Sequence, residues 1–250
     1  MSPSVAAHAE QNPAAGWRVV QASFETSAAA LRQAPPGDRP EIAVTGRSNV
    51  GKSSLLNAFA GQRGLARVSR TPGRTQLLNF FQMTLRHPQR DDMAFRWVDL
   101  PGYGYAAAPQ SVREAFGPMI EGYLQGRQAL AGLVLLLDSR REVSDLDRAL
   151  LDFVGARGLP VLLCATKADK LSKPERGTLA RSMAKGLGIS PRQVLVTSAD
   201  TGLGLGDAGR DGGLARELAA LMLRTVPQTS PTPPPLPVEP TSPDQPVEPE

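Results

Sequence analysis

The chain has 250 residues, 41% hydrophobic and 21% charged, enough to bury the core of one large or two small domains. Its apolar runs fall far short of the roughly 20 residues that span a bilayer, and no basic segment precedes an apolar one at the N-terminus, so a cytosolic protein without a membrane role is expected. One cysteine excludes an internal disulfide and a multi-cysteine metal site, and two histidines, His8 and His87, cannot by themselves build a zinc site. The net charge is +4, and +8 without the four carboxylates of residues 227–250, a balance suited to a polyanion such as RNA.

Residues 1–40 read as a largely flexible extension in which only residues 17–24 have the apolar content for an edge strand. The run Pro35-Pro36-Gly37-Asp38-Arg39-Pro40 then breaks the chain before the first core strand, at residues 41–45. A Gly-rich turn and a helix from Lys52 to Ala60 follow. Residues 77–85 and 93–99 flank a polar connection at 87–92, the pattern of an antiparallel hairpin. Helices are expected within 109–125, near 144–156, within 174–185 and within 214–224, alternating with strands at 133–138, 161–166 and 193–197. That alternation predicts an α/β domain over residues 41–226 with a mostly parallel sheet of six to seven strands, one antiparallel edge strand and helices on both faces. Cys164, inside the apolar run 161–165, reads as a buried core residue. Residues 227–250, rich in Pro, Ser, Thr and Glu, predict a disordered acidic tail.

Gly46-Arg47-Ser48-Asn49-Val50-Gly51-Lys52-Ser53 fits G-x-x-x-x-G-K-S between a predicted strand and helix, the context of a phosphate-binding P-loop. Its glycines let backbone N–H groups turn inward, and the helix N-terminus adds positive potential. Lys52 is expected at the β- and γ-phosphates and Ser53 on Mg2+. Asp99-Leu100-Pro101-Gly102 closes a hydrophobic strand, where Asp99 orients a magnesium water and the Gly102 N–H meets the γ-phosphate. Thr166-Lys167-Ala168-Asp169 ends another strand, with Asp169 accepting the two guanine donors that adenine lacks. Thr166 stands where Asn is usual. Val196-Thr197-Ser198-Ala199 ends the last strand and offers backbone donors to the guanine carbonyl. All four elements fall at carboxyl ends of strands, where open α/β sheets bind ligands.

Between the P-loop helix and the hairpin, Arg70-Thr71-Pro72-Gly73-Arg74-Thr75-Gln76 lies where a first switch belongs. Thr75 is the expected ligand of magnesium and γ-phosphate, with Thr71 its competitor; Gly73, Arg74, Gln76 and Leu77 complete the expected GTP contacts there. Lys52, Thr75 and Gly102 are the residues expected to act on the γ-phosphate.

Extended through Ser54-Leu55-Leu56-Asn57 and Tyr103-Gly104-Tyr105, these motifs resemble the EngB family, also called YihA or YsxC, within the TrmE-Era-EngA-EngB-Septin-like GTPases. The resemblance covers about residues 41–226, and Thr166 in place of Asn is itself that family's pattern. It implies a monomeric Ras-like GTPase domain with Mg2+ held through Ser53 and Thr75. It also implies a role in assembly of the large ribosomal subunit through ribosomal RNA, linked in some bacteria to cell division and septation.

Tyr103 follows Gly102 where Ras-like enzymes carry the glutamine that orients attacking water, so slow hydrolysis is expected and Tyr103 reads as a packing residue. Asn49 is the candidate K+ ligand, a monovalent cation replacing an arginine finger's charge. Arg70 and Arg74 read as solvated switch residues. The alternative is a stand-alone NTP-dependent enzyme, such as an RNA-modification GTPase or small-molecule kinase, for which the sequence offers no acceptor-substrate domain.

Overall fold

The computed structural model describes residues 16–66, 77–103, 112–206 and 213–225. Seven strands, β1 (Arg18–Ala28), β2 (Glu41–Gly46), β3 (Leu78–His87), β4 (Arg90–Asp99), β5 (Leu130–Asp138), β6 (Val161–Thr166) and β7 (Val194–Val196), form one sheet in the order β1-β3-β4-β2-β5-β6-β7. Among the described residues five α-helices cover it: α1 (Lys52–Phe59), α2 (Val112–Gly126), α3 (Asp145–Gly155), α4 (Lys173–Leu187) and α5 (Leu214–Thr225). Pairing is parallel from β4 through β2, β5 and β6 to β7. Antiparallel pairing is confined to one side, where β3 runs against both β4 and β1.

The hairpin is tighter than the sequence suggests. Only Pro88 and Gln89 separate β3 from β4, and His87 pairs with Arg90. The polar residues expected to form a connection extend the strands instead, because Arg86 holds Asp92 across them with Nη2–Oδ2 2.7 Å. On the other side of β3, β1 reaches Ala28, beyond the apolar stretch at residues 17–24, with register shifts between Val19 and Gln21 and between Phe24 and Thr26.

Every residue of β5 is buried, which is why it reads as a continuous apolar run rather than an alternating one. Val134 and Leu136 face a core made with Leu55, Phe59, Leu218 and Met222 of α1 and α5. Leu133, Leu135 and Leu137 face the opposite core, with Ile120, Leu150, Val154 and Leu179 of α2, α3 and α4. Each such fully buried aliphatic side chain contributes about 1.5–3 kcal/mol relative to exposure. Cys164 lies fully buried among them, and desolvation pushes its thiol far above the usual range, so it is no nucleophile.

The amino end of the sheet carries a buried ionic network. Glu41, 0% exposed, accepts from Tyr123 Oη at 3.0 Å and from Arg127 Nε and Nη2 at 2.9 and 2.6 Å. Arg96, 2% exposed, donates to Glu25 at 2.8 and 3.1 Å, Asp38 at 2.6 Å and the Pro36 carbonyl at 2.7 Å. These bonds fasten β1, the loop before β2, β4 and α2 at the end opposite the motif residues. Among the described residues no helix is long and apolar enough to cross a membrane.

Candidate functional site

The motif residues converge at the carboxyl ends of β2, β4, β6 and β7. β2 ends at Gly46, where a Cβ would lie 2.6 Å from the Leu136 carbonyl oxygen and 2.9 Å from Val50 Cγ1, so only glycine lets the chain turn beside β5. Asn49 and Gly51 follow with φ of 64° and 106°, the left-handed conformations that roll backbone N–H groups into the loop. Gly51 is the N-cap of α1 and its carbonyl accepts the Leu55 N–H at 2.8 Å, so Lys52 and Ser53 occupy the positive end of the helix. At the other end of α1, Asn57 clamps the backbone of Ala66, donating to its carbonyl at 3.0 Å and accepting its N–H at 2.7 Å.

Asp99 ends β4. Its Oδ1 is buried without a hydrogen-bond partner, and desolvation raises the carboxyl to about 6 although the Lys52 ammonium opposes the shift. Gly102 packs against the loop so closely that a Cβ would meet Lys52 Nζ at 2.9 Å, the Gly46 carbonyl at 3.2 Å and the Ser48 nitrogen at 3.3 Å. A two-way backbone bridge holds the segment down: Tyr103 N–H donates to Gly46 at 3.3 Å, and Ser48 N–H donates to Tyr103 at 2.9 Å. Leu100 N–H donates to Val44 at 2.9 Å, and Thr45 Oγ1 to the Pro101 carbonyl at 3.3 Å. The Tyr103 side chain does more than pack. It is 1% exposed, and its hydroxyl donates to Asp147, itself 1% exposed, on α3.

A cleft beside the loop is lined by Val50, Gly51, Ser54, Thr166, Asp169 and Ala199 among others. The Thr166 hydroxyl donates to the Val50 carbonyl at 2.8 Å, tying β6 to the phosphate loop through the side chain that replaces the usual Asn. Lys167, at φ 60°, donates to the Asn49 carbonyl at 2.6 Å and to Asp138 at 3.0 Å, and Arg140 holds the same carboxylate. Asp169 accepts from Ser198 Oγ at 2.6 Å and pairs with Lys170 at 2.9 Å, and these donors keep its carboxyl below the usual range and ionised. Ala168, fully buried, donates its N–H to Thr197 at 3.1 Å, joining this turn to the end of β7. In the segment from Val196 to Ala199, two of the expected backbone donors are engaged internally. Thr197 N–H bonds Ala165 at 2.7 Å and Ser198 N–H bonds Leu203 at 3.0 Å, so the fully buried Ser198 acts on the cleft through its hydroxyl's bond to Asp169 instead.

Arg70, Thr71, Gly73, Arg74, Thr75 and Gln76 lie outside the described residues, as does the acidic tail; Leu77 stands half-buried just before β3. Two participants escaped the motif reading, Asp138 and Asp147; Asn57 belongs to the run that carries the family resemblance, and only its clamp on Ala66 is new. Asp147 carries a legible signal, since Ser144-x-x-Asp147 is a capping-box pattern and forms one, with Ser144 N–H and Oγ each 2.7 Å from Oδ2. Nothing in its spacing points to Tyr103.

The family model described as "50S ribosome-binding GTPase" matches residues 41–167. The chain is 44% identical over 198 residues to a probable GTP-binding protein EngB of Geobacter sulfurreducens, covering 79% of this chain and 90% of that protein. To a probable GTP-binding protein EngB of Bordetella pertussis it is 44% identical over 190 residues, 76% of this chain and 91% of that one. Among solved structures, a variant of Era from Aquifex aeolicus bound to GDP·AlF4− superposes with a TM-score of 0.55 at 19% identity, over 76% of this chain and 57% of that one, a likeness of fold. With a P-loop, a strand-end aspartate that buries one carboxylate oxygen and a second aspartate in the adjoining cleft assembled on this sheet, the chain belongs to the EngB family of GTP-binding proteins and is a GTPase, hydrolysing GTP to GDP and phosphate.

Proposed function

We propose that this GTPase is a Mg2+-dependent switch in assembly of the large ribosomal subunit, docking in its GTP state and leaving after hydrolysis. The observation that carries the reading is the family match to 50S ribosome-binding GTPases across the segment that holds the P-loop and Asp99. The charge of +8 over residues 1–226 favours ribosomal RNA as the surface it meets. A cytoplasmic monomer, no membrane partner and a link to division and septation go with that role. The working unit is residues 41–226 together with β1, and residues 227–250 are an acidic appendage.

In this reading the P-loop N–H groups and Lys52 hold the β- and γ-phosphates, and Gly102 offers its N–H to the γ-phosphate. The orphaned, buried Oδ1 of Asp99 fits a magnesium-bound water, and with the hydroxyls of Ser53 and Thr75 it supplies the hard oxygen donors Mg2+ takes. Bound there, the ion neutralises charge on the β- and γ-phosphate oxygens. Asp169 accepts the guanine N1–H and amino group, and the Ala199 N–H is assigned to the guanine carbonyl.

Tyr103 faces α3 and cannot orient water as a glutamine does, so hydrolysis is slow until a partner or an ion completes the site. Asn49 is assigned to K+. Turnover should be faster in potassium than in sodium chloride at equal ionic strength, and equal initial rates would remove that ion from the mechanism. The switch itself is tested by co-sedimentation with large ribosomal subunits. Full-length protein should pellet with them in a non-hydrolysable GTP analogue and stay in the supernatant with GDP; no pelleting with either nucleotide overturns the assembly role.

A further inference from the structure

Tyr103 is the residue where the γ-phosphate side of the site meets the helical layer. Its backbone is bridged to the phosphate loop through Gly46 and Ser48. Its side chain runs the other way, and the hydroxyl bonds the Asp147 carboxylate in the first turn of α3. That carboxylate is fixed in turn: its second oxygen accepts both the N–H and the hydroxyl of Ser144, each at 2.7 Å. Both partners are about 1% exposed, so water does not compete for the bond. Gly102, one residue earlier, lies so close to the loop that a Cβ there would stand 2.9 Å from Lys52 Nζ and 3.2 Å from the Gly46 carbonyl. Contact holds it on the loop side, and the residue that follows it is anchored on the far side through the Tyr103 hydroxyl.

We infer that the Tyr103 hydroxyl, bonded to Asp147, is a positioning group that sets the Gly102 N–H at the height of the γ-phosphate. The inference rests on assigning Gly102 to that phosphate. The position that in Ras-like enzymes serves water serves geometry here: the side chain is turned inward as a tether between phosphate loop and α3. Discrimination between GTP and GDP should then depend on a bond made 44 residues away in sequence.

The test compares affinities of the full-length protein for a non-hydrolysable GTP analogue and for GDP, with melting temperatures alongside. Tyr103→Phe keeps the ring and removes the hydroxyl, so GDP affinity should hold while analogue affinity falls roughly three- to tenfold, the range expected from losing one buried hydrogen bond. Ser144→Ala removes one of the two bonds that fix the Asp147 carboxylate and leaves the Ser144 N–H in place; it should lower the melting temperature and reduce the ratio of the two affinities less than Tyr103→Phe does. Gly102→Ala tests the underlying assignment and should lower the ratio. If Gly102→Ala lowers the ratio but Tyr103→Phe does not, the tether is refuted while the γ-phosphate assignment stands. If Gly102→Ala leaves the ratio unchanged, that assignment fails and takes the tether with it.

Discussion

Asp169→Asn should turn the protein from guanosine toward xanthosine nucleotides, changing the ratio of GDP to XDP affinity by about a thousandfold or more, the scale of a site that loses a matched buried hydrogen-bond pair. The carboxylate is ionised and held by Ser198 and Lys170, so both of its oxygens stand ready as acceptors for the guanine N1–H and amino group. An asparagine presents one acceptor and one donor. Against guanine the donor meets a donor and strands it; against xanthine, whose C2 carries an oxygen, the pairing is restored. The neighbours tolerate the exchange: the amide oxygen can face the Lys170 ammonium, while the Ser198 hydroxyl turns to accept from the amide nitrogen. Equilibrium titrations with labelled GDP and XDP decide it. An unchanged ratio would mean that the base sits somewhere other than the cleft lined by Thr166, Asp169 and Ala199.

The largest loss of stability should come from the opposite end of the sheet. Glu41→Ala leaves the Tyr123 hydroxyl and the Arg127 guanidinium in a buried setting without their shared acceptor, and removing one partner of such a pair costs about 3–5 kcal/mol. For a chain of this size that lowers Tm by roughly 6–20 °C at about 2–4 °C per kcal/mol. Thermal unfolding followed by circular dichroism measures it, and nucleotide affinity at 20 °C should change little, because the network and the P-loop occupy opposite ends of β2. A shift of only 1–2 °C would indicate that water readily replaces the carboxylate.

Much of this architecture was legible because its signals are local. The unbroken apolar run of β5, the glycines at 46 and 51 and the strand-ending aspartates each report their own surroundings, and the structure puts them at one edge. What sequence reading missed depends on pairing at a distance. Nothing near Tyr103 announces Asp147, and nothing near Arg96 announces Glu25, 71 residues earlier. Phe24 marked only the apolar part of β1, whereas its full length to Ala28 is set by β3 alongside it. The hairpin turn was overestimated for a related reason: Arg86 and Asp92 look like loop residues until they face each other across a ladder.

The pairing of β1 also orders events during synthesis. Its hydrogen-bonding partner β3 begins about sixty residues later, so at roughly 5–20 residues per second the nascent β1 waits about 3–12 s before it can be paired. During that interval its apolar side chains, Phe24 among them, have no sheet to lie on, and Glu25 has no Arg96 to bind. A strand at the edge of the sheet is thus the first one made, and it stays without a partner until β3 has been synthesised.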